Sequence, residues 1–294
     1  MTATANSHSP GRAATGADTA SLASRMSVRA EEEAMTEAQA HTERKLTNPL
    51  VEIVIPVYNE ERALRPCIEK LRAYLTDTFP YPWQIRIADN ASKDRTWEIA
   101  QELTREYPDV RAMHLDQKGR GRALRAAWLS SDADIVSYMD VDLSTGLNAF
   151  LPMIAAIAVG HSHLGTGSRL MHGAHITRQF KRELTSRVYN TLINLTFRNG
   201  FSDAQCGFKA MRRTLAVEML PYVENQEWFF DSELLLLAEE RNLRVVEIPV
   251  DWDEDLDSRV NIRKTATEDI QGLLRVRRQR KERRDGTYVV KTLS

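Results

Sequence analysis

The stretch LVEIVIPVYNEE, residues 50–61, sets a short continuous apolar run directly before a polar one, and Leu64, Ile68, Leu71 and Leu75 then recur at helical spacing. An all-apolar strand followed by an amphipathic helix is the opening unit of a parallel sheet covered on both faces. The alternation continues. WQIRIAD leads to DRTWEIAQEL, VRAMHL to GRALRAAWL, and DADIVSYMD reads as a further strand. In the less regular second half, HLGTGSR (163–169) reads as a strand, 179–197 as a helix and GFKAMRR as a strand. FDSELLLLAEER follows as a helix, LRVVEIPVDW as a strand and 262–281 as a last helix. The pattern predicts one α/β domain built on a single, mainly parallel sheet flanked by helices.

Composition narrows the function classes. The 40 basic and 41 acidic residues leave a net charge of −1, so no overall field draws the chain to nucleic acid. Cys67 and Cys206 make no disulfide framework and no metal-spaced pair, which fits a reducing, cytosolic setting. The longest apolar run, 147–160, falls short of the ~20 residues that span a bilayer. Residues 1–47 lack an apolar signal core and read as a disordered leader, with Met26 or Met35 as alternative starts. A transit peptide is the lesser alternative, opposed by Glu31, Glu32 and Glu33.

In such sheets ligands bind beyond the carboxyl ends of the strands. Polar residues cluster there four times in succession: PVYNEE (56–61), ADNASKDRT (88–96), DQKGRGR (116–122) and MDVDLS (139–144). Asp140 and Asp142 stand at i and i+2, so extended backbone would aim both at one cation. A solvated strand end is the plain alternative. KGRG offers an ammonium and backbone N–H groups to a phosphate through Lys118, Gly119 and Gly121, or is simply a tight basic turn. A dinucleotide fingerprint is incomplete, because Leu124 stands where the third glycine belongs.

Seven motifs then occur in fixed order: VIPVYNEE, IADNASKDRTWEIA, KGRGRAL, YMDVDLS, GSR, DAQCGFKAMRR and WFFDSELLLLA. Over about 49–276 the chain resembles family 2 glycosyltransferases of the polyprenyl-phosphate type, the dolichyl-phosphate glucosyl- and mannosyltransferases and their bacterial relatives. The resemblance implies a GT-A nucleotide-sugar-binding fold over 48–276, with 277–294 as a basic C-terminal tail. It places Pro56, Tyr58, Asn59 and Glu60 around the base and ribose of the donor, with Asp89, Lys118 and Gly119 in the same pocket. Asp140 and Asp142 then match the motif that holds Mg²⁺ or Mn²⁺ against the donor diphosphate, and Arg259, in the donor-covering loop 253–261, is a further diphosphate contact.

On the acceptor side the resemblance points to Arg169, Asp203 and Gln205, and Arg178 and Arg182 form a guanidinium clamp or a solvated basic face. Asp142, Asp231 and Glu233 are the candidate catalytic residues, the last two as base, orienting group or helix cap. Cys206 reads as packed rather than nucleophilic, and Trp228, Phe229 and Phe230 as core, with a lipid or sugar platform as the lesser alternative. The chain has no Q-x-x-R-W motif, which favours a single transfer over chain elongation.

The expected function is transfer of one hexose from a nucleotide sugar, UDP-glucose ahead of GDP-mannose, to a polyprenyl or dolichyl phosphate. The expected setting is the cytoplasmic membrane face, with the enzyme peripheral. A family 2 enzyme with a hydroxyl acceptor is the alternative; an inactive nucleotide-binding partner of a membrane protein is the alternative of another class. The run RVRRQRKERR (275–284), seven basic residues against one acid, is expected to meet anionic headgroups, with a separate membrane protein docking there as the alternative.

Overall fold

The computed structural model describes residues 44–177, 180–253 and 262–290, together with Glu33 and Thr36. The opening run forms β1 (Val51–Val57), and the residues that follow form α1 (Leu64–Thr78). β2 (Trp83–Asn90), α2 (Thr96–Glu106), β3 (Val110–Leu115), α3 (Arg120–Leu129) and β4 (Ile135–Met139) complete the regular half. Then come α4 (Phe150–Ala158), β5 (Leu164–Ser168), β6 (Ile176–Thr177), α5 (Phe180–Phe197), β7 (Phe208–Arg212) and α6 (Arg213–Met219). The chain continues through α7 (Phe230–Glu240), β8 (Val245–Pro249), β9 (Trp252–Asp253) and α8 (Ile262–Arg284).

Seven strands make one sheet in the order β3-β2-β1-β4-β7-β5-β8, and β6 pairs with β9 in a separate two-stranded ribbon. Within the large sheet β7 alone runs against its neighbours β4 and β5. Each face carries its own apolar core. Leu64, Ile68 and Leu71 of α1, Leu103 of α2 and Phe150 of α4 pack with Ile53 and Ile55 of β1 on one side. Leu124 and Trp128 of α3, Leu215 of α6, Leu234 of α7 and Leu273 of α8 pack with Val54 on the other. Burial of each such side chain contributes roughly 2 kcal/mol. The one acid inside the opening run, Glu52, is fully buried and held by Arg86 at 2.8 Å and Gln84 at 2.7 Å.

Two boundaries differ from expectation. Residues 44–47, placed in the leader, include Leu46, whose N–H donates to the Ala158 carbonyl at 2.8 Å; Arg212 likewise reaches the Arg44 carbonyl. The domain edge expected at 276/277 falls inside α8, which continues to Arg284 because its inner side stays packed: Val276 and Gln279 are both buried. Among the described residues no helix is long and apolar enough to cross a membrane.

The strand order creates the site. From β1 the chain winds outward through β2 to the edge strand β3, then returns to place β4 on the other side of β1. Loops leave β1 and β4 in opposite lateral directions at this switch point, opening a crevice at their carboxyl ends. The reversed β7 brings its first residue, Phe208, opposite the last residue of β4, Met139, so the loop 203–207 arrives at the same rim.

Candidate active site

On the β1–β3 side of the crevice, short polar bonds fix the β1 loop. Asn59 adopts φ 57°, a left-handed conformation that asparagine tolerates. Its N–H donates to Ser92 Oγ at 2.9 Å while its side-chain oxygen accepts from the Lys93 N–H at 2.8 Å. The Glu60 N–H donates to Thr96 Oγ1 at 2.7 Å, which locks the loop to the start of α2. Pro56, one residue before the end of β1, is half-buried, and the Lys118 ammonium lies 3.9 Å from the centre of the Tyr58 ring. Asp89 is fully buried with its Oδ2 2.6 Å from His114 Nδ1, and Asn90 accepts the Gly119 N–H at 2.7 Å. A Cβ at Gly119 would stand 2.6 Å from the Gln226 carbonyl oxygen, so this close passage of two loops requires glycine. The expected donor residues Pro56, Tyr58, Asn59, Glu60, Asp89, Lys118 and Gly119 thus stand on three adjacent strand ends; His114, Asn90 and Ser92 complete their support.

Beneath the crevice lies a buried ionic network that the motif reading missed. Arg120, at the first turn of α3, donates to Asp231 Oδ2 at 2.5 Å and to Asp140 Oδ1 at 2.7 Å. Lys209 of β7 stands 3.2 Å from Asp231 Oδ1 and donates to the Cys206 carbonyl at 2.7 Å, and the Tyr138 hydroxyl donates to the same carboxylate. Burial alone raises the pKa of a carboxyl, but the Lys209 and Arg120 cations together hold Asp231 below its ordinary range. Burial and the Asp231 charge push the Tyr138 phenol well up, so it remains a donor. A cation at a helix N-terminus opposes the helix dipole, so Arg120 at that position in KGRGRAL is itself a signal of nearby acids.

The turn 140–143 rises from this base. β4 ends at Met139, and the Leu143 N–H closes back on the Asp140 carbonyl at 3.0 Å. Asp140 and Asp142 therefore project from a tight turn rather than from one face of an extended strand, which corrects the geometry expected from their spacing. Leu143 sits at φ 48°, a left-handed conformation that costs an L-residue about 1 kcal/mol. Asp142 is exposed and accepts the Ser144 N–H at 3.0 Å. A Cβ at Gly207 would fall 1.8 Å from Asp140 Oδ2, so only glycine lets the β7 loop pass this carboxylate.

Among the described residues no third Asp, Glu, His or Cys joins the pair to make a closed metal cage. Two carboxylates beside an open rim, without soft ligands, nonetheless suit a hard divalent cation that takes its remaining ligands from diphosphate oxygens and water.

On the side of the crevice where acceptor contacts were expected, Arg169, just past β5, binds Asp203 through Nε at 2.7 Å and Nη2 at 2.9 Å. Against the upward pull of burial, this guanidinium keeps the Asp203 carboxyl below its ordinary range. Gln205 donates to Asp269 of α8 at 2.9 Å. Arg178 and Arg259 lie outside the described residues, and Arg182 lies in α5 at a point where only the backbone is described. Glu233 is buried on the far side of α7, where it pairs with Arg275 at 2.9 Å and accepts the Asn225 N–H at 2.7 Å. Burial pushes its carboxyl up, with Arg275 opposing. Cys206 is buried and its thiol is pushed up to about 12 by that burial. Phe229 and Phe230 are core, but Trp228 is 41% exposed, with the Arg120 guanidinium 4.9 Å from its ring centre. The expectation that all three aromatics are core holds for two; Trp228 lies just before α7, where the chain turns over Arg120 toward the rim.

The architecture is that of GT-A glycosyltransferases. The chain aligns with glucosyl-3-phosphoglycerate synthase of Mycobacterium tuberculosis, crystallised with Mn²⁺, UDP and glucosyl-3-phosphoglycerate, at a TM-score of 0.57 and 16% identity over 82% of this chain and 83% of that one. It aligns with the mannosyltransferase PcManGT of Pyrobaculum calidifontis, in complex with GDP-Man and Mn²⁺, at a TM-score of 0.53 and 14% identity over 89% and 76%.

Residues 52–220 match glycosyl transferase family 2, and the chain belongs to that family. Among relatives, Glycosyltransferase AglD of Haloferax volcanii is 35% identical over 218 residues, 72% of this chain and 34% of that protein. Dolichyl-phosphate beta-glucosyltransferase ALG5C of Trichomonas vaginalis is 30% identical over 220 residues, 71% and 65% of the two chains. The aligned region thus spans about a third of the first relative and just under two thirds of the second.

Proposed function

We propose that this chain transfers one hexosyl group from a nucleotide sugar, UDP-glucose before GDP-mannose, to a polyprenyl phosphate of the dolichyl type. The observation that carries the reading is the convergence at one switch point of the Tyr58–Glu60 loop, the Asp89–His114 pair, Lys118 and the turn bearing Asp140 and Asp142. Tyr58, Asn59 and Asp89 would hold the nucleoside, and Lys118 would meet the diphosphate. Asp140 and Asp142 would hold Mg²⁺ or Mn²⁺, which as a Lewis acid stabilises negative charge on the departing diphosphate. A phosphate oxygen of the acceptor would attack the anomeric carbon opposite that leaving group, inverting the centre.

The disposition of the acids favours this acceptor over a hydroxyl. A hydroxyl nucleophile needs a general base in reach of the rim. Asp231 is buried among three donors, and Glu233 faces Arg275. A phosphate, largely ionised at neutral pH with a second pKa near ~6, needs neither. The names of the dolichyl-phosphate relatives support the same acceptor and the glucosyl donor. In this reading the enzyme works as a peripheral protein on the cytoplasmic face of a membrane. Incubation with radiolabelled UDP-glucose or GDP-mannose and a short-chain polyprenyl phosphate tests it: label entering the organic phase from UDP-glucose is expected. Transfer to a lipid alcohol but not to the phosphate would replace it with the hydroxyl-acceptor reading.

A further inference from the structure

The seven basic residues of 275–284 do not all face solvent. Arg275 turns inward to Glu233 at 2.9 Å, and Arg283 grips Glu240 at 2.8 Å and 2.7 Å. The outward stripe of α8 is left as Ile270, Leu274, Arg277, Arg278, Lys281 and Arg284, recurring at helical spacing. Ile270 is 51% and Leu274 63% exposed, large values for aliphatic side chains. Acids on this flank are few: Glu282 pairs with Arg278 at 3.5 Å, and Asp285 follows the helix.

α5 extends the surface. Its Leu192 is 41% and Leu195 76% exposed, while Ile193 is fully buried, so the end of this helix also presents an apolar outer side. Between the two helices runs a groove of about 550 Å³, lined by Thr196 and Phe197 from α5 and by Leu274, Arg277, Arg278 and Lys281 from α8. Apolar side chains beside a groove with a net excess of basic side chains match the layering of a bilayer surface, acyl chains beneath anionic headgroups.

Both helices are tied to the acceptor side of the crevice by one loop. The Ala204 N–H donates to Asn190 of α5 at 2.9 Å, and Gln205 donates to Asp269 of α8 at 2.9 Å. We infer that α5 and α8 together form a docking face for an anionic lipid bilayer, with Leu192, Leu195, Ile270 and Leu274 entering the interface and Arg277, Arg278, Lys281 and Arg284 meeting headgroup phosphates. The inference deepens the lipid-acceptor reading and rests on it: a rigid connection from this face to 203–206 sets the rim against the leaflet that carries the acceptor.

The test is co-sedimentation of the full chain with vesicles of phosphatidylcholine alone or mixed with phosphatidylglycerol, across a NaCl series. Binding is expected only to the anionic vesicles and declines with salt. The triple variant Arg277→Glu, Arg278→Glu, Lys281→Glu lowers vesicle partitioning by about 100-fold or more, and the pair Leu195→Asp, Leu274→Asp weakens it at every salt concentration. Since all five side chains are exposed, Tm and transfer to a detergent-dispersed short-chain acceptor stay at wild-type values. Equal binding to both vesicle types, or variants that bind like wild type, would overturn the docking face. A lipid-free dimer in sedimentation velocity that Leu195→Asp dissociates would assign the face to a second copy instead. Vesicle binding as expected, with no transfer to lipid phosphate by the wild type, would retain the face and remove the acceptor reading.

Discussion

At Asp231 three donors converge, and the opposite end of the Arg120 guanidinium reaches Asp140. Arg120 thereby couples a buried charge to the carboxylate at the rim. Arg120→Met, similar in length but neutral, leaves Asp231 short of one cation and Asp140 without its tether. Loss of one partner of a buried pair costs about 3 to 5 kcal/mol, so Tm falls well below wild type. Asp231→Asn in the same background should recover part of that loss, since the buried charge is gone; no recovery would show that Arg120 acts through packing alone.

The exposed Asp142 behaves differently. Asp142→Ala is expected to abolish hexosyl transfer while shifting stability by no more than about 0.5 kcal/mol. EDTA should silence the wild type in the same way, with Mn²⁺ or Mg²⁺ restoring it. Full turnover in EDTA would remove the metal from the proposal.

Asp269 carries a pH signature. Burial pushes its carboxyl up to about 6, with the Gln205 hydrogen bond opposing and Glu268 adding to the rise. The unfolded chain releases this proton near ~3.9. The folded form therefore binds the proton over a range where the unfolded form does not. Its stabilising contribution is full below about pH 4 and disappears as pH rises through about 6. Relative to wild type, Asp269→Asn should gain roughly 1 kcal/mol or more between pH 4 and pH 8. Thermal melts at the two pH values measure the change; a constant difference would mean that Asp269 titrates normally.

Among the elements, the apolar runs of β1, β2 and β4 and the helical stripe of α1 were legible because each is written within a few neighbouring residues. The direction of β7 was not legible. GFKAMRR reads as a strand, but hydrophobic patterning says nothing of which way a strand enters a sheet, and only its pairing with Met139 and Leu164 reveals the reversal. The site divides in the same way. Asp89, Lys118, Asp140 and Asp142 occupy strand ends and could be found from topology alone. The Arg120–Asp231 pair joins residues 111 apart in sequence, and no local pattern specifies such a partner. Trp228 escaped because an aromatic run read as core has one member turned outward.

Arg178 and Arg182 set a further expectation. Because Arg169 and Asp203 occupy one another's charges, an acceptor phosphate would need other cations. Arg178→Lys and Arg182→Lys should therefore each raise the acceptor KM several-fold, with the donor KM and kcat little changed, as the planar fork is lost and the charge kept. Equal rises in both KM values would assign the two arginines to the donor diphosphate.

For the molecule as a whole, the sheet order has a consequence for how the chain is made. β5 has no contact in the sheet with its predecessor β4; β7, translated later, must slide between them. As the polypeptide leaves the ribosome, β3, β2, β1 and β4 can pair in turn, but β4 then presents a bare apolar edge until Phe208–Arg212 emerges. Such an edge is a template for a neighbouring nascent chain. A stalled or truncated product ending between β5 and β7 would carry its first half nearly assembled and the edge of β4 uncovered. Quality-control machinery meeting this protein during synthesis would therefore find its vulnerable surface in the middle of the finished sheet, where the mature molecule offers no access.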